Sequence, residues 1–379
     1  MADGFAFEDC LLKHYIRKEV WLPFCRDRLR KIRAADARNP RRLRYFTFCA
    51  VGALDVLLLD REKVIRKSNT DEFDTVFFFD KSAEAIIETC KRIRGANGFP
   101  GDFAEIVLMA ADGDEQLELH ILPDERDTKA VRQKQMKKAQ LGQFIESFPF
   151  DVVNLDVEQY LFRPKENLPG VLTNAMRKLL EWQRREGIGS NGKPFTLDGF
   201  TLMFTTKVGP SALPEDYMSY LRDYCLVNNL AAHQELNAPF LKKSNGKDPA
   251  QFFQDDFDGA FKLAVPKSLS ELALEQDWYI DDAKGIQVYQ FDRPHTEGSY
   301  RMLHMAMAVK RQEPPKERRA PGQQANDALG AHKNTIVKIF DEDVIAVETL
   351  VVGKKENELK VDLEKLLKHR ARYYTPPDA

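Results

Sequence analysis

Apolar positions alternate between strand-like and helical spacing near the start of the chain. Leu43 to Cys49 reads as a strand, Leu54 to Leu59 as an apolar helical run, and Thr75 to Phe79 as a strand of β-branched and aromatic residues without polar alternation. A strand of that last kind is typical of a parallel sheet covered on both faces. The pattern from Leu43 to Asp80 therefore predicts the opening βαβ unit of a nucleotide-binding fold.

The same alternation of strand-like and helical segments continues to residue 310. The predicted strands are Ala104 to Ala110, Phe150 to Val157, Phe200 to Lys207, and an antiparallel pair made of Gln287 to Phe291 and Arg301 to Val309; the predicted helices are Lys81 to Arg94, Lys129 to Phe148, Val171 to Arg185 and Pro214 to Asn229. These elements predict the α/β class, with a doubly wound, mostly parallel, Rossmann-like sheet that ends in an antiparallel hairpin.

Composition divides the chain into a lead-in, a core, a linker and a tail. The lead-in (residues 1–42) carries two predicted helices interrupted at Pro23, and the core spans 43–310. Residues 311–330 are rich in proline, glycine and charge, which is typical of a flexible linker. The tail (331–379) reads as two strands and a basic helix. Within the core, residues 230–280 carry aromatic and acidic clusters and predict an insertion or cap over the site.

Charge, cysteine content and hydropathy exclude several classes of protein. The net charge of the 379 residues is −2, so any case for a polyanionic partner rests on local clusters. The 5 cysteines are scattered without a C-x-x-C pair, which argues against a disulfide framework and against a zinc site. No apolar run reaches the ~18 residues of a membrane helix, and the first residues do not resemble a signal peptide. We therefore expect a cytoplasmic protein without a membrane partner.

One local cluster of positive charge lies between Arg26 and Arg44. This run contains nine Lys or Arg residues against two Asp, and such an excess is able to follow a phosphate backbone. Arg38, Arg41 and Arg42 are the predicted nucleic-acid contacts, and the alternative is a solvated helix face. The aromatic rings of Tyr160 and Phe162 are candidates for stacking on a base, with ordinary packing as the alternative.

Acidic residues stand where the predicted strands end. Asp80 follows the single-glycine turn at Gly52 by more than about 20 residues, the spacing at which such folds bind a ribose hydroxyl. The strand Phe150 to Val157 brings Asn154 and Asp156 to the same edge of the sheet. Asp112 follows the strand predicted at Ala104 to Ala110, and its turn is able to contact an adenine amine or to be a plain surface turn.

The order of elements over residues 40–310, the closing antiparallel strand and the strands FDVVNLD and FTLMFTTK resemble the class I S-adenosylmethionine-dependent methyltransferases. A looser resemblance is to tRNA guanine methyltransferases and to partner proteins of the three-cysteine-motif type. The resemblance implies S-adenosylmethionine as cofactor, with Gly52 near its methionine part, Asp80 on the ribose and Asp112 on the adenine. It also implies that Asp156, with Asn154, orients an amine nucleophile.

Two departures from the family pattern keep three functions open. The glycine turn has one glycine, and the fourth motif reads Leu155-Asp156-Val157-Glu158 where Asp-Pro-Pro-Tyr or Asp-Pro-Phe-Gly is usual. The first function is a methyltransferase that acts on nucleic acid, in RNA modification or antiviral defence. The second is a catalytically inactive module that binds a protein partner through residues 230–280 or through the tail. The third, a nicotinamide-dependent dehydrogenase, is disfavoured because the Gly-x-Gly-x-x-Gly turn is absent.

Overall fold

A computed structural model describes residues 10–49, 52–65, 72–104, 107, 142–157, 171–208, 222, 230, 234, 237–281, 286–295, 298–312 and 321–373. The strands are β1 (Tyr45–Thr47), β2 (Val76–Asp80), β3 (Asn97–Pro100), β4 (Val152–Asp156), β5 (Gly187–Ile188), β6 (Pro194–Phe195), β7 (Gly199–Val208), β8 (Trp278–Ile280), β9 (Ile286–His295), β10 (Gly298–Arg311) and β11 (Ile345–Ala346).

The helices cover both faces of the sheet. They are α1 (Leu11–Tyr15), a π-helical segment (Ile16–Trp21), α2 (Leu22–Ala35), α3 (Leu54–Arg61), α4 (Ala83–Arg92), α5 (Val171–Trp182), α6 (Asn237–Lys243), α7 (Pro249–Asp255), α8 (Phe257–Glu275), α9 (Pro321–Asp341), α10 (Val347–Leu350) and α11 (Gly353–Tyr373). None of the described helices is long and apolar enough to cross a membrane.

The described strands form one nine-stranded sheet in the order β11-β9-β10-β7-β4-β1-β2-β3, with β8 paired to β10, and a separate β5-β6 ribbon. Strands β1, β2, β3, β4 and β7 run parallel to one another. Strand β10 lies between β7 and β9 and runs antiparallel to both. The predicted α/β class, with a mostly parallel Rossmann-like sheet and a terminal antiparallel hairpin, is confirmed.

Two apolar cores form because successive side chains of the buried strands point to opposite faces. Tyr45, Phe78 and Val152 face the core shared with the N-terminal helices, α3 and α11. Phe46 and Val153 face the core shared with α5, α8 and α9. The absence of polar alternation in these strands is therefore explained by burial on both sides.

The third strand is not where the sequence predicts it. Ala104 and Val107 are helical, and β3 is formed instead by Asn97–Pro100, a segment that reads as a turn. Glycine is common in turns, and this is why the segment reads as one. In the fold Gly98 is required for space, because a Cβ atom there would lie 2.6 Å from Ile86 Cγ2 and 2.8 Å from Phe78 Cζ. Glycine at this position allows α4 to pack closely over the strand.

Pro23 does not separate the lead-in into two helices. The chain stays helical from Leu11 to Ala35, and the π-helical segment Ile16–Trp21 ends two residues before the proline. Proline lacks an N–H group and its ring displaces the carbonyl one turn earlier, and the wider turns of a π segment accommodate both effects.

The tail was predicted as two strands and a helix, and the first strand is wrong. Thr335 to Phe340 belongs to α9, where Ile336, Ile339 and Phe340 share one buried face at helical spacing. Helix α9 begins at Pro321, inside the predicted linker 311–330, because proline is well placed in a first helical turn. The second predicted strand shrinks to β11, followed by α10. The predicted basic helix is confirmed within α11.

Residues 237–281 form part of a layer of the fold. Phe261, Ala264 and Val265 of α8 are buried in the same core as Phe46 and Val153 of the sheet. None of these described residues lines the cavity at the ends of the parallel strands. The predicted cap over the site is therefore wrong for this segment.

Candidate ligand site at the carboxyl edge of the sheet

A cavity of about 350 Å³ opens at the carboxyl ends of the parallel strands. Strand β1 pairs with β2 on one side and with β4 on the other, so the chain order reverses at β1. Ligands of open α/β sheets bind at such a switch point. The cavity is lined by Phe48, Cys49, Phe79, Asp80, Lys81, Gly101, Asp102, Phe103, Ala104, Asp156, Val157 and Leu172.

Asp80 stands at the end of β2 and lines the cavity, as the sequence predicts. Its Oδ1 accepts a hydrogen bond of 2.8 Å from the backbone N–H of Ser82. The Ser82 hydroxyl in turn caps α4 by accepting from the Ala85 N–H at 3.2 Å. The turn between β2 and α4 therefore fixes the direction in which the Asp80 carboxylate points.

Asp102 is a cavity residue that the sequence reading missed. It lies directly after β3, where its Oδ1 accepts from the Ala104 N–H at 3.0 Å and its Oδ2 lies 3.0 Å from the Lys81 ammonium. Gly101, with φ of 122°, turns the chain into the cavity wall. Correct placement of β3 would have identified Asp102 as the acid that follows the third strand.

Asp112 and Tyr160 lie outside the described residues. A strand over Ala104 to Ala110 would place Asp112 at its end, but Ala104 and Val107 are helical. The acid at the end of the observed third strand is Asp102.

Asp156 ends β4 and lines the same cavity as Asp80. Its Oδ2 forms an ion pair with the Nζ of Lys13 on α1, and the two side chains are only 10% and 12% exposed. The structure thus brings together the two acids that the sequence places at strand ends, and it adds a lysine from the lead-in.

Asn154 belongs to a buried network rather than to the cavity wall. Its Nδ2 donates to Tyr45 Oη at 2.9 Å and to Thr47 Oγ1 at 3.4 Å, and both hydroxyls donate to Asp55 Oδ2. Asn154 is fully buried, and its Oδ1 has no hydrogen-bond partner. The predicted role of Asn154 in orienting a substrate is therefore not supported by its position.

Gly52 is buried in the turn that leads into α3 and is not among the cavity residues. The left-handed conformation in this turn belongs to Ala53, with φ of 46°. Asp55 follows in the first turn of α3, where its carboxylate lies at the positive end of the helix.

His304 lies on the row of side chains that crosses the sheet from Asp156. Asp156 pairs in register with Thr205, and Thr205 pairs with His304. Trp21 Nε1 donates to His304 Nε2 at 3.1 Å, so the proton is on Nδ1, which donates to Thr205 Oγ1 at 2.9 Å. Burial is the main cause that lowers the pKa of His304 to about 3, and the ring is therefore neutral.

The arginines predicted to bind nucleic acid lie in a different place and mostly in ion pairs. Arg41 pairs with the buried Asp151, and Arg42 pairs with Asp74. Arg38 is exposed. This loop leads into the amino end of β1, at the edge of the sheet opposite the cavity. Arg41 is thus a structural residue, which corrects its assignment as a surface contact. Arg42 pairs with a half-exposed carboxylate, and its contact with nucleic acid stays a prediction.

No protein-family model matches the chain, and a search of curated proteins finds no matching sequence. Among the described residues, no group of three His, Cys, Asp or Glu side chains is arranged to hold a metal ion. The candidate site is therefore defined by its own geometry. The carboxylates of Asp80, Asp102 and Asp156, the side chain of Lys81 and several apolar side chains line one cavity.

Proposed function

We propose that this chain binds S-adenosylmethionine and is a methyltransferase-like protein. The observation that carries the proposal is the set of Asp80, Asp102 and Asp156 around one cavity at the switch point of the sheet. The β10 strand, inserted antiparallel between β7 and β9, supports it, because the same closing strand is a feature of the class I methyltransferases.

The chemistry of the cavity favours a ligand that is rich in donors and carries positive charge. Carboxylates accept hydrogen bonds from ribose hydroxyls and from an adenine amine, and they attract a sulfonium. In the proposed complex Asp80 accepts from the ribose diol and Asp102 from the adenine amine. Asp156 attracts the sulfonium and accepts from the amine that is to be methylated. S-Adenosylmethionine supplies an electrophilic methyl group, and the residues position the acceptor and exclude water.

A different carboxylate, that of Asp55, disfavours a dinucleotide. A pyrophosphate group binds at the N-terminus of the helix that follows the first strand, where backbone N–H groups and the helix dipole attract an anion. In this chain Asp55 occupies the first turn of α3 and its carboxylate is buried there. A second anion at that position would be repelled, which argues against the nicotinamide alternative.

Nucleic acid is the second part of the proposal. Lys31, Arg33 and Arg38 of the basic run are exposed. They extend from α2 into the loop before β1, whereas the cavity is at the far end of strands such as β4, whose five residues span roughly 16 Å. The basic run is thus an anchoring surface at a distance from the chemistry. Each of these residues that contacts a phosphate contributes about 1 to the salt slope of binding, so Arg38→Gln is expected to reduce that slope.

Binding without methyl transfer is the second candidate function. It is favoured by the position of Asn154, which is locked in the buried network and leaves Asp156 without the neighbouring amide that the family pattern implies. Such a protein would act as a binding or scaffold subunit. A cytoplasmic location is part of either proposal, and the free thiols of Cys10, Cys25 and Cys90 support it.

Isothermal titration calorimetry of the full chain tests the proposal. S-Adenosylmethionine and S-adenosylhomocysteine are expected to bind, while NAD and ATP serve as phosphate-bearing controls. The absence of heat with S-adenosylmethionine at about millimolar concentration would refute the cofactor. Transfer of a labelled methyl group to total RNA or DNA then separates the catalytic from the binding-only function.

A further inference from the structure

Lys13 reaches the candidate site from the N-terminal helix. Its Nζ contacts Asp156 Oδ2, yet Lys13 is not among the described residues that line the cavity. The lysine therefore acts on the carboxylate from outside the ligand volume. We propose that Lys13 is a positioning residue that fixes the orientation of the Asp156 carboxylate. Helix α1 therefore belongs to the ligand site. This inference rests on the proposed function.

The first support is the low exposure of the ion pair. Both side chains are mostly withdrawn from water, 12% exposed for Lys13 and 10% for Asp156. An ion pair in such surroundings is screened much less than one on the surface. The Lys13 ammonium therefore acts strongly on the Asp156 carboxylate and holds its orientation.

The second support is that the helical lead-in is anchored directly after Lys13. His14, the next residue, is fully buried, and its Nε2 lies 2.9 Å from Asp362 Oδ2 on α11. Arg61 on α3 holds the same carboxylate with two hydrogen bonds of 3.1 and 3.0 Å. Trp21, at the end of the π-helical segment, donates to His304. These contacts fix the backbone from which Lys13 extends.

The third support is the charge around Asp156. His304 on β10 is neutral, and Asp80 and Asp102 are acidic residues that line the same cavity as Asp156. Lys81 pairs with Asp102 and is largely exposed. The Lys13 ammonium therefore offsets the repulsion among the carboxylates. Without it, Asp156 would take up a proton more readily.

The test compares Lys13→Met, Lys13→Arg and, as a matched control, Lys18→Met. Lys18 belongs to the same helical lead-in but pairs with Asp362, at 3.5 Å. Affinity for S-adenosylmethionine is measured by calorimetry from about pH 5 to about pH 8. We expect Lys13→Met to bind roughly tenfold more weakly at the acid end and to recover toward wild-type affinity at the basic end. Lys13→Arg and Lys18→Met should follow the wild-type pH profile.

A loss of stability in Lys13→Met would also weaken binding, and the isosteric variant Asp156→Asn distinguishes this cause from a loss of the ion pair. In the Asp156→Asn background, Lys13→Met should leave the pH profile unchanged, because the carboxylate it acts through is absent. A wild-type profile in Lys13→Met would overturn the inference and leave the cofactor proposal intact. So would an equal pH-dependent effect of Lys18→Met, since that would reflect helix docking alone. If the wild-type chain does not bind S-adenosylmethionine at any pH, both proposals fail together.

Discussion

Arg41 donates to both oxygens of the Asp151 carboxylate, and its guanidinium lies 3.8 Å from the ring centre of Phe195. Arg28 donates to the same carboxylate at 3.1 Å and to Asp198 at 2.8 Å. Burial acts to raise the pKa of Asp151, but the hydrogen bond from Arg41 and the charge of Arg28 hold it below its ordinary value. These contacts of Arg28 and Arg41 with Asp151 thus hold α2 and the loop before β1 against the amino edge of the sheet.

Arg41→Gln is expected to lower the free energy of unfolding by about 3–5 kcal/mol. The substitution removes one partner of a buried pair and leaves the Asp151 carboxylate with less compensation. Arg38→Gln, in the same loop but exposed, is the control and should change stability by no more than about 0.5 kcal/mol. Urea denaturation at neutral pH measures both, and equal stability of the two variants would contradict the structural role of Arg41.

Gly98→Ala is expected to destabilise the protein by about 1–3 kcal/mol. The new methyl group would overlap with Ile86 and Phe78, and either α4 or β3 would have to shift. Gly330→Ala is the control, because a Cβ at that helical position meets no atom within 4 Å and alanine favours a helix. Thermal unfolding should therefore separate the two variants in opposite directions. A neutral Gly98→Ala would argue against the close packing of α4 on β3.

The parallel core of the fold was predictable because its signal is local. The largely apolar strands β2 and β4 are visible in short windows of sequence, and the structure confirms both. Strand β3 was not predictable in this way. Its residues include a glycine and a proline, and only the closeness of α4 explains the glycine.

The candidate site was predicted in part for the same reason. Asp80 and Asp156 were found because each ends a recognisable strand, and the parallel register then brings them to one cavity. Lys13 was missed because its partner Asp156 is distant in sequence and no local pattern links them. Arg41 was misassigned because its charge is evident from sequence while its buried partner Asp151 is not.

His304 is expected to make stability fall with acid. The unfolded chain binds a proton near the ordinary histidine pKa of 6.5, whereas the folded ring stays neutral down to about 3. Its contribution is thus complete above pH 6.5 and is lost as pH falls, by roughly 1.4 kcal/mol per pH unit. His304→Gln should remove this part of the slope when unfolding free energies are compared between about pH 4 and 6.5. An unchanged slope would show that His304 titrates normally.

Leu366→Ala is expected to cost about 2–5 kcal/mol of stability. Leu366 is fully buried in the core that α11 shares with α3 and the lead-in, so its loss leaves a cavity. Val361→Ala on the same helix is the control, since Val361 is 50% exposed and should tolerate the change. Chemical denaturation of the full chain measures both. If Leu366→Ala is as stable as Val361→Ala, α11 does not dock on the core in solution.

Asp80→Asn is expected to weaken S-adenosylmethionine by roughly tenfold to a hundredfold while the fold is retained. A hydrogen bond to a charged group contributes about 1.5–3 kcal/mol, and the amide that replaces the carboxylate has no charge to offer the ribose diol. Its remaining carbonyl oxygen still accepts from the Ser82 N–H, so the turn before α4 should keep its shape. Glu84→Gln is the control, because it neutralises an exposed acid on the adjacent turn that does not line the cavity. Calorimetry gives the affinities and thermal unfolding verifies the fold. Equal affinity in Asp80→Asn and Glu84→Gln would mean that the ribose lies elsewhere.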